Sequence, residues 1–460
     1  MKRGLAMVVV AAALSGCMVG PNYKRPALDL PAGYAEGGTK ATKVTVPAQW
    51  WSLYGDPVLD ELVRLGLERN ADVRQAVARV DEAEAALREA HATLLFPLVQ
   101  GQGGASRSRS RAAGVGTVTA DNYSLTAATS FEIDLWGRLR RAELSTRDVL
   151  AASQFGRDTV ALSLAAAIAR TYFAALSLDS QYAASQEILR AADESLTLAR
   201  KRASGGVASE LDVYQAGSLR SQAAAQAKEI ARQREAIVHQ LGVLSGKLDV
   251  AVPVKDVAAL PIPPLPPAGL PSELLERRPD VRQAEASLSA ATQRIGVARA
   301  SQFPTLSLTG SFGQQSTELS SLFSSGGRIW SIGANIIGPI IDAGRFAART
   351  EQAEAQARQA EASYQRAVEN AFRDVSDALS NVRLAADQET DLVEQVQQAR
   401  NALRLSQMRY ENGYSAYLEV LDAQRTLNQA LLAFIRNRQA YLGFTVDLMN
   451  ALGGGWTPPA

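Results

Sequence analysis

The chain has 460 residues and a formal charge of +1, with 47% apolar and 21% charged residues. This balance is typical of an ordered protein and gives no general attraction for nucleic acid. His91 and His239 are the only histidines and lie in helical patterns, so we expect no metal site, catalytic residues, cofactor or enzyme activity.

The N-terminus resembles the export leader of a bacterial lipoprotein. Lys2 and Arg3 precede an apolar run over 5–14, and small residues precede Cys17, the only cysteine. The apolar run is too short to span a bilayer, which takes about 20 residues. We therefore expect removal of residues 1–16 as a signal peptide, which lowers the formal charge by two to −1.

Cys17 is the expected lipid attachment site. Acyl chains such as palmitate on this residue would leave the mature protein without a free thiol in an oxidising compartment. Met18 follows, whereas the inner-membrane retention signal of such lipoproteins is typically an aspartate at this position. The resemblance therefore favours the outer membrane.

Two copies of one pattern make up the mature chain. DVRQ at 72–75 recurs at 280–283, DLWGR at 134–138 recurs as DAGR at 342–345, and GVASELDV at 206–213 recurs as GYSAYLEV at 413–420. The copies are about 207 residues apart, a spacing that chance does not maintain. We expect a lipidated extended segment at 17–55, a first repeat at 56–250, a proline-rich linker at 251–275, a second repeat at 276–451 and a tail at 452–460.

Each copy alternates between helical and strand periods. Helix is predicted over 57–95, with a break near 66–70, and then over 138–203, 209–246, 344–411 and 416–451. A helix of about 66 residues is about 100 Å long, far beyond the average of a globular protein. From Phe346 onward a seam of alanines at heptad spacing, including Ala353, Ala357 and Ala371, predicts close, supercoiled helix packing.

Two β-hairpins are predicted, roughly 97–110 with 120–135 and 303–315 with 328–341. No run after residue 20 matches a membrane helix, so we expect strands to make any membrane crossing. Tyr123, Phe131, Trp330 and Ile336 are expected to face lipid, whereas Ser124, Glu132 and Asn335 are expected to face the lumen or a neighbouring strand. Loops rich in Gly, Ser and Thr near 104–119 and 314–327 are expected to be extracellular, and the basic SRSRSR at 106–111 is too short to indicate nucleic-acid binding.

The number of chains in a barrel stays open at this point. Four strands are too few for a membrane barrel, whose minimum is about eight, so several chains must share one. Two chains or three would satisfy this requirement.

The duplicated layout, WWSLYGDPVLDELV at 50–63, DLWGR and the paired turns resemble the outer-membrane factor (TolC-like) family. The start CMVGPNYKRP is similar to its lipoprotein efflux branch, the NodT-like group. The resemblance implies an α+β membrane protein, in which three chains share an outer-membrane barrel that continues as a periplasmic tunnel of long helical hairpins. It implies passive efflux of drugs or other small molecules, with a periplasmic adaptor and an inner-membrane, proton-driven pump as partners.

The resemblance also implies a periplasmic gate at the two turns that lie farthest from the strands. By position, Asp212, Glu419 and Asp422 match the acidic residues of the gate, Tyr410 and Arg425 the linking residues, and Leu418 the apolar constriction. Ser415 stands where one branch of the family can have an arginine that links the hairpins. Which residues bond to one another at the gate is therefore left open. Ser209 and Asp212 also fit an ordinary capping box at a helix start.

Three alternatives remain at this stage. A periplasmic adaptor would carry one helical hairpin flanked by small β domains, whereas here the hairpin occurs twice. A lipid-anchored periplasmic hydrolase would have to use one of the two histidines. An exit duct of type I protein secretion would share the whole architecture, although the lipoprotein start favours efflux.

Overall fold

A computed structural model describes residues 18–29, 31, 33–34, 46–112, 116–266 and 274–457. Cys17 and the signal peptide predicted before it lie outside these residues, as do most of 267–275 and the last three positions. The lipid attachment therefore stays a prediction.

Seven helices of more than one regular α-turn are found among the described residues. They are α1 (Pro57–Arg69), α2 (Ala71–Leu95), α3 (Arg138–Ser204), α4 (Glu210–Ser245), α5 (Pro279–Ala300), α6 (Arg345–Glu411) and α7 (Tyr417–Ala451); a single turn at Leu274–Arg277 precedes α5. The long helices α3 and α6 have 67 residues each, as the uninterrupted periodicity predicts. Asn70 separates α1 from α2, which confirms the predicted break.

One four-stranded antiparallel sheet is formed by β1 (Leu98–Ala112), β2 (Gly116–Ile133), β3 (Thr305–Ser316) and β4 (Arg328–Ile337), in the order β1-β2-β3-β4. Both predicted hairpins are present. The register places Phe131 opposite Leu308 and Phe312 opposite Trp330, so the predicted lipid-facing side chains share one face. Glu132 and Asn335 both lie opposite Ser307, on the other face.

The strand predicted over 97–110 is present, so the overlapping expectation of a loop near 104–119 is wrong for most of that range. β1 continues to Ala112 and β2 resumes at Gly116, because residues rich in Gly, Ser and Thr pair across this hairpin in unbroken register. Only 113–115 lie between the strands, outside the described residues.

The expectation that no apolar stretch of membrane length follows residue 20 is also wrong. Among the described helices, α3 contains an 18-residue stretch apolar enough to cross a membrane, but half of it is buried within the protein. Ile168, Tyr172 and Phe173 of α3 are fully buried in a cluster with α1 and α7, so core packing explains the composition.

The described residues divide into two compact units, each built from both repeats. The unit comprising 1–27, 79–154 and 283–365 holds the sheet, and within it Ala353 and Ala357 of α6 pack on Ala291 and Ile295 of α5. This contact confirms that part of the alanine seam. The unit comprising 28–78, 155–282 and 366–460 holds the hydrophobic cluster around Trp50 and Tyr54 and the two turns between long helices.

Candidate functional site

The same turn ends both long helices. Gly206 and Gly413 have φ angles of 73° and 79°, a left-handed conformation that glycine adopts without strain. The amide of Val207 donates to the carbonyl of Arg202 at 3.0 Å, and the amide of Tyr414 donates to that of Arg409 at 2.8 Å. Because the two glycines are repeat equivalents, the duplicated sequence gives two hairpin tips of one design.

The returning helices begin differently. The Ser209 hydroxyl accepts a hydrogen bond from the Leu211 amide at 3.1 Å and caps α4, whereas Ala416 provides no side-chain cap for α7. Ser209 therefore acts as an ordinary N-cap, but its hydroxyl accepts from Leu211 and not from the Asp212 amide, as a capping box would require. Among the described residues, the Asp212 carboxylate accepts no hydrogen bond, which leaves it at the positive end of the α4 dipole and close to two tyrosines.

The two tips pack against each other through one apolar cluster. Its members are buried alanine, leucine, valine and tyrosine side chains from the ends of α3, α4, α6 and α7: Ala192, Leu196, Ala199, Ala216, Leu219, Tyr410, Tyr417, Val420 and Leu421. We call this set the tip cluster. It holds the first and second hairpins of one chain together.

Arg202 joins the two tips across the tip cluster. Its guanidinium lies 4.8 Å from the centroid of the Tyr410 ring and donates to the carbonyls of Tyr410 and Glu411 at 3.2 Å each. A guanidinium above an aromatic ring is attracted by the ring electrons. The end of α3 is thereby tied to the end of α6.

Tyr410 and Tyr417 form the aromatic part of the tip cluster. Their ring centroids are 5.4 Å apart and the residues are only 5% and 1% exposed. Burial raises the pKa of both hydroxyls, and the negative charge of Asp212 raises each further. The Tyr417 hydroxyl lies near the Ser195 side chain, whereas the Tyr410 hydroxyl and Ser415 Oγ are buried without a hydrogen-bond partner among the described residues.

The remaining predicted gate residues lie on the opposite, exposed face of α7. Leu418 is 60% exposed, and Glu419, Asp422 and Arg425 are exposed as well. Glu419 Oε2 lies 3.4 Å from Nε of Arg409, across the turn. Within the described part of the chain, Asp422 and Arg425 form no ion pair.

The structure thus brings Asp212, Tyr410 and Arg202 together inside one chain and leaves Leu418, Asp422 and Arg425 directed away from it. Sequence reasoning missed Arg202, Arg409 and Leu211. Leu211 occupies the position of Leu418 in the first repeat and is 59% exposed. The repeat spacing of about 207 residues, applied residue by residue, would have found it.

A second arrangement concerns residues 18–29, which we call the N-terminal strap. The Val19 amide donates to the Trp136 carbonyl at 3.1 Å. Arg141 is 1% exposed and donates to the Gly20 carbonyl at 3.1 Å and to Asn22 Oδ1 at 2.9 Å, and burial lowers its pKa. A Cβ on Gly296 would lie 2.9 Å from Arg141 Cδ and 3.0 Å from the Val19 oxygen, so the strap fits only a glycine there.

Farther along the strap, Arg25 forms a bidentate ion pair with Glu285, with distances of 2.7 and 2.8 Å, and the Tyr23 hydroxyl donates to the same carboxylate. Paired hydrogen bonds of this kind fix direction as well as distance. These contacts fix the N-terminal strap, and the Val19 hydrogen bond holds its first residues, which follow the predicted lipid attachment site, beside the junction of β2 and α3.

Comparison with known proteins agrees with this architecture. The model of the family described as outer membrane efflux protein matches residues 62–247 and 270–454. The chain belongs to the outer membrane efflux protein family. It is 33% identical to the probable efflux pump outer membrane protein TtgC of Pseudomonas putida, over 99% of this chain and 96% of that protein.

Two further matches cover nearly the whole chain. The pyoverdine export outer membrane protein OpmQ of Pseudomonas aeruginosa is 33% identical over 99% of this chain and 97% of its own. The solved outer-membrane channel OprN superposes with a TM-score of 0.89 at 31% identity, over 96% of this chain and all of that one. This member of the efflux family is thus an outer-membrane component of an efflux system with its helical part in the periplasm, and its relatives are transport proteins rather than enzymes.

Proposed function

We propose that three copies of this chain form one continuous exit duct, with a barrel in the outer membrane and a helical tunnel in the periplasm. The observation that carries the proposal is the open sheet. Among the described residues, β1 and β4 each pair on one side only, and a barrel needs at least about eight strands. Joining β1 of one chain to β4 of the next closes the sheet and removes both edges.

The exposed apolar face of the sheet supports the same proposal. Phe312, Trp330, Ile332 and Ile336 share this face and are 59–83% exposed. Such a surface is costly in water but matches the hydrocarbon of a bilayer. The long helices supply about 100 Å of tunnel at 1.5 Å per residue.

The hairpin tips act as the periplasmic gate in this proposal. Copies of Glu419 and Asp422 around a narrow axis repel one another and attract cations. Leu418 and its repeat equivalent Leu211 form the apolar constriction, and Arg425 is free to reach a neighbouring chain. The Arg202 contact with Tyr410 holds each chain in the closed arrangement until an adaptor separates the tips.

Cys17 carries acyl chains in this proposal and anchors the protein in addition to the barrel. One chain binds a membrane marginally, whereas several give stable attachment. Because the N-terminal strap is clamped by Arg141, the anchor enters the membrane at a fixed place beside the barrel.

The transported substrates are drugs or other small molecules, supplied through a periplasmic adaptor by a proton-driven inner-membrane pump. The relatives support this, since OpmQ is named for pyoverdine export and TtgC for an efflux pump. Transport is passive within the duct.

Single-channel recording of the purified full-length protein in planar lipid bilayers tests the proposal. If acidic hairpin tips close the duct, we expect small, discrete conductance steps. The reversal potential should then show a preference for cations. A protein that inserts but yields no conductance step, or that prefers anions, would contradict it.

A further inference from the structure

The sequence SRSRSR at 106–111 has no role in the exit duct described above. The structure places it on the hairpin of β1 and β2 that extends beyond the rest of the sheet, because β2 pairs with β3 only from Tyr123 onward. Alternation along β1 puts Arg107, Arg109 and Arg111 on one side of the hairpin and the intervening serines on the other. We call these three residues the arginine row.

The arginine row shares its side of the sheet with the apolar face. Arg107 lies opposite Asp121, two residues above Tyr123, and Tyr123 lies on the same face as Leu125 and Phe131. Basic side chains therefore continue the outward face where its apolar side chains end.

The height of the apolar face matches that of a membrane. Ten residue steps separate Ile133 from Tyr123. At about 3.4 Å per residue and a tilt of about 40° they rise about 26 Å, close to the apolar band of about 25 Å in such barrels. Since the helices follow the lower ends of the strands and are periplasmic, the arginine row begins at the outer surface, at the level of lipid headgroups.

The described residues place only one acidic side chain beside the arginine row. Arg107 Nε lies 3.4 Å from Asp121 Oδ1, but the Arg107 side chain is 76% exposed. Arg109 and Arg111 lie opposite Thr119 and Thr117, are exposed, and form no ion pair within the described residues. Arg109 and Arg111 thus lack a counter-charge in the part of the chain that the structure describes.

We propose that the arginine row binds the phosphate groups of an anionic glycolipid in the outer leaflet of the membrane. Guanidinium groups bind phosphate oxygens through paired, charge-assisted hydrogen bonds. Arginines two residues apart on one strand hold their guanidinium groups about 7 Å from each other. The lower part of the same surface contacts the acyl chains of these lipids in the proposed barrel. This inference rests on the proposed barrel and adds a lipid partner to it.

Two variants of the full-length protein test the proposal. One replaces the arginine row by serine. The other exchanges the two sides of the hairpin at constant composition and charge, through Ser106→Arg, Arg107→Ser, Ser108→Arg, Arg109→Ser, Ser110→Arg and Arg111→Ser. Native mass spectrometry in mild detergent measures the binding of lipid A with two phosphates and of the same lipid after removal of both.

The parent protein should bind the phosphorylated lipid at least about tenfold more tightly, since each exposed charge pair contributes a factor of a few. Both variants should lose this preference, and inorganic phosphate at equal concentration should not displace the lipid. Equal affinity of the parent for both lipids, an undiminished preference in the side-exchanged variant, or displacement by inorganic phosphate would overturn the proposal. Bilayer conductance, recorded in parallel, should be the same in all three proteins; loss of conductance in the parent itself would refute the duct, not the lipid site.

Discussion

The guanidinium of Arg202 lies 4.8 Å from the Tyr410 ring centroid and also donates to the Tyr410 carbonyl at 3.2 Å, so one side chain ties the end of the first long helix to the end of the second. The two residues are 208 positions apart in the sequence. Because the Tyr410 side chain is buried in the tip cluster, the contact fastens one hairpin to the core of the other.

Arg202→Ala should loosen the tips and raise single-channel conductance. The change removes a cation–π contact of about 1 kcal/mol and two charge-assisted hydrogen bonds of about 1.5–3 kcal/mol each. Arg200→Ala is the matched control, since Arg200 is exposed on the same helix and has no ion pair among the described residues. Equal conductance of the two variants would show that Arg202 does not hold the gate.

Asp422→Ala combined with Arg425→Ala should also raise conductance, and Glu419→Gln should weaken cation preference. In the proposed gate, the first change removes a link between neighbouring chains, and the second lowers the negative potential at a narrow axis. Bilayer recordings measure both properties.

Glu61→Gln is the control for Glu419→Gln, because it also removes one exposed carboxylate, but on α1 and away from the hairpin tips. If the gate variants match the parent, Glu419 and Asp422 are ordinary acids near a helix start, stabilised by its dipole.

The tip shows how far the sequence predicts the site. The duplicated pattern predicted the ends of the helices on both sides of each turn to within one residue. It did not predict the partner of Glu419, because spacing along one helix indicates Asp422 and Arg425 as neighbours, whereas the closing turn brings Arg409 of the preceding helix within reach.

In the sheet, the sequence predicted the orientation of the side chains better than the ends of the strands. Alternation predicted which side chains share a face, since that property depends on the strand period alone. It did not predict that the strands continue through 111–112 and 116–119. Composition rich in Gly, Ser and Thr is common to loops and to long hairpins, and only cross-strand pairing distinguishes them.

A buried network around Asp56 should set acid stability. The Asp56 carboxylate caps α1 and accepts hydrogen bonds from the Tyr172 hydroxyl at 2.7 Å and from Lys255 Nζ at 3.0 Å. Burial by itself would raise the Asp56 pKa, but these hydrogen bonds outweigh it and hold the pKa below its usual value. Its contribution is therefore fully present above the unfolded pKa of about 3.9 and is lost as pH falls through the folded pKa.

Asp56→Asn should lower the free energy of unfolding at pH 7 by about 3 kcal/mol, because Lys255 loses its charge partner and the tyrosine loses its acceptor. Below pH 4 the difference from the parent should shrink. Thermal unfolding followed by circular dichroism checks this, with Asp81→Asn, an exposed acid on α2, as control. A difference that stays constant from pH 7 to pH 3 would argue against the network.

Gly296→Val should release the N-terminal strap without removing the lipid. The added side chain collides with Arg141 and with the Val19 oxygen. Trypsin should then cleave after the exposed Lys24 faster than in the parent, while Gly33→Ala, whose added Cβ meets open space, should leave the rate unchanged. Equal rates in all three proteins would mean that Gly296 does not clamp the strap.

Cys17→Ser tests the anchor itself. The proposed barrel is expected to insert without the lipid, so the variant should retain some functional channel but lose its acyl chains. Mass spectrometry of the parent should show a mature chain that begins at an acylated Cys17. An unmodified Cys17, or a mature chain that keeps residues 1–16, would refute the lipoprotein prediction.

Electron cryo-microscopy of the purified full-length protein in lipid nanodiscs tests the central claim most directly. The account predicts a particle of three chains with about twelve strands closed into one barrel and a helical tunnel of about 100 Å below it, with Leu211, Leu418 and Asp422 facing the axis at its narrow end. A monomeric particle, or an assembly whose four-stranded sheets do not join through β1 and β4, would contradict it.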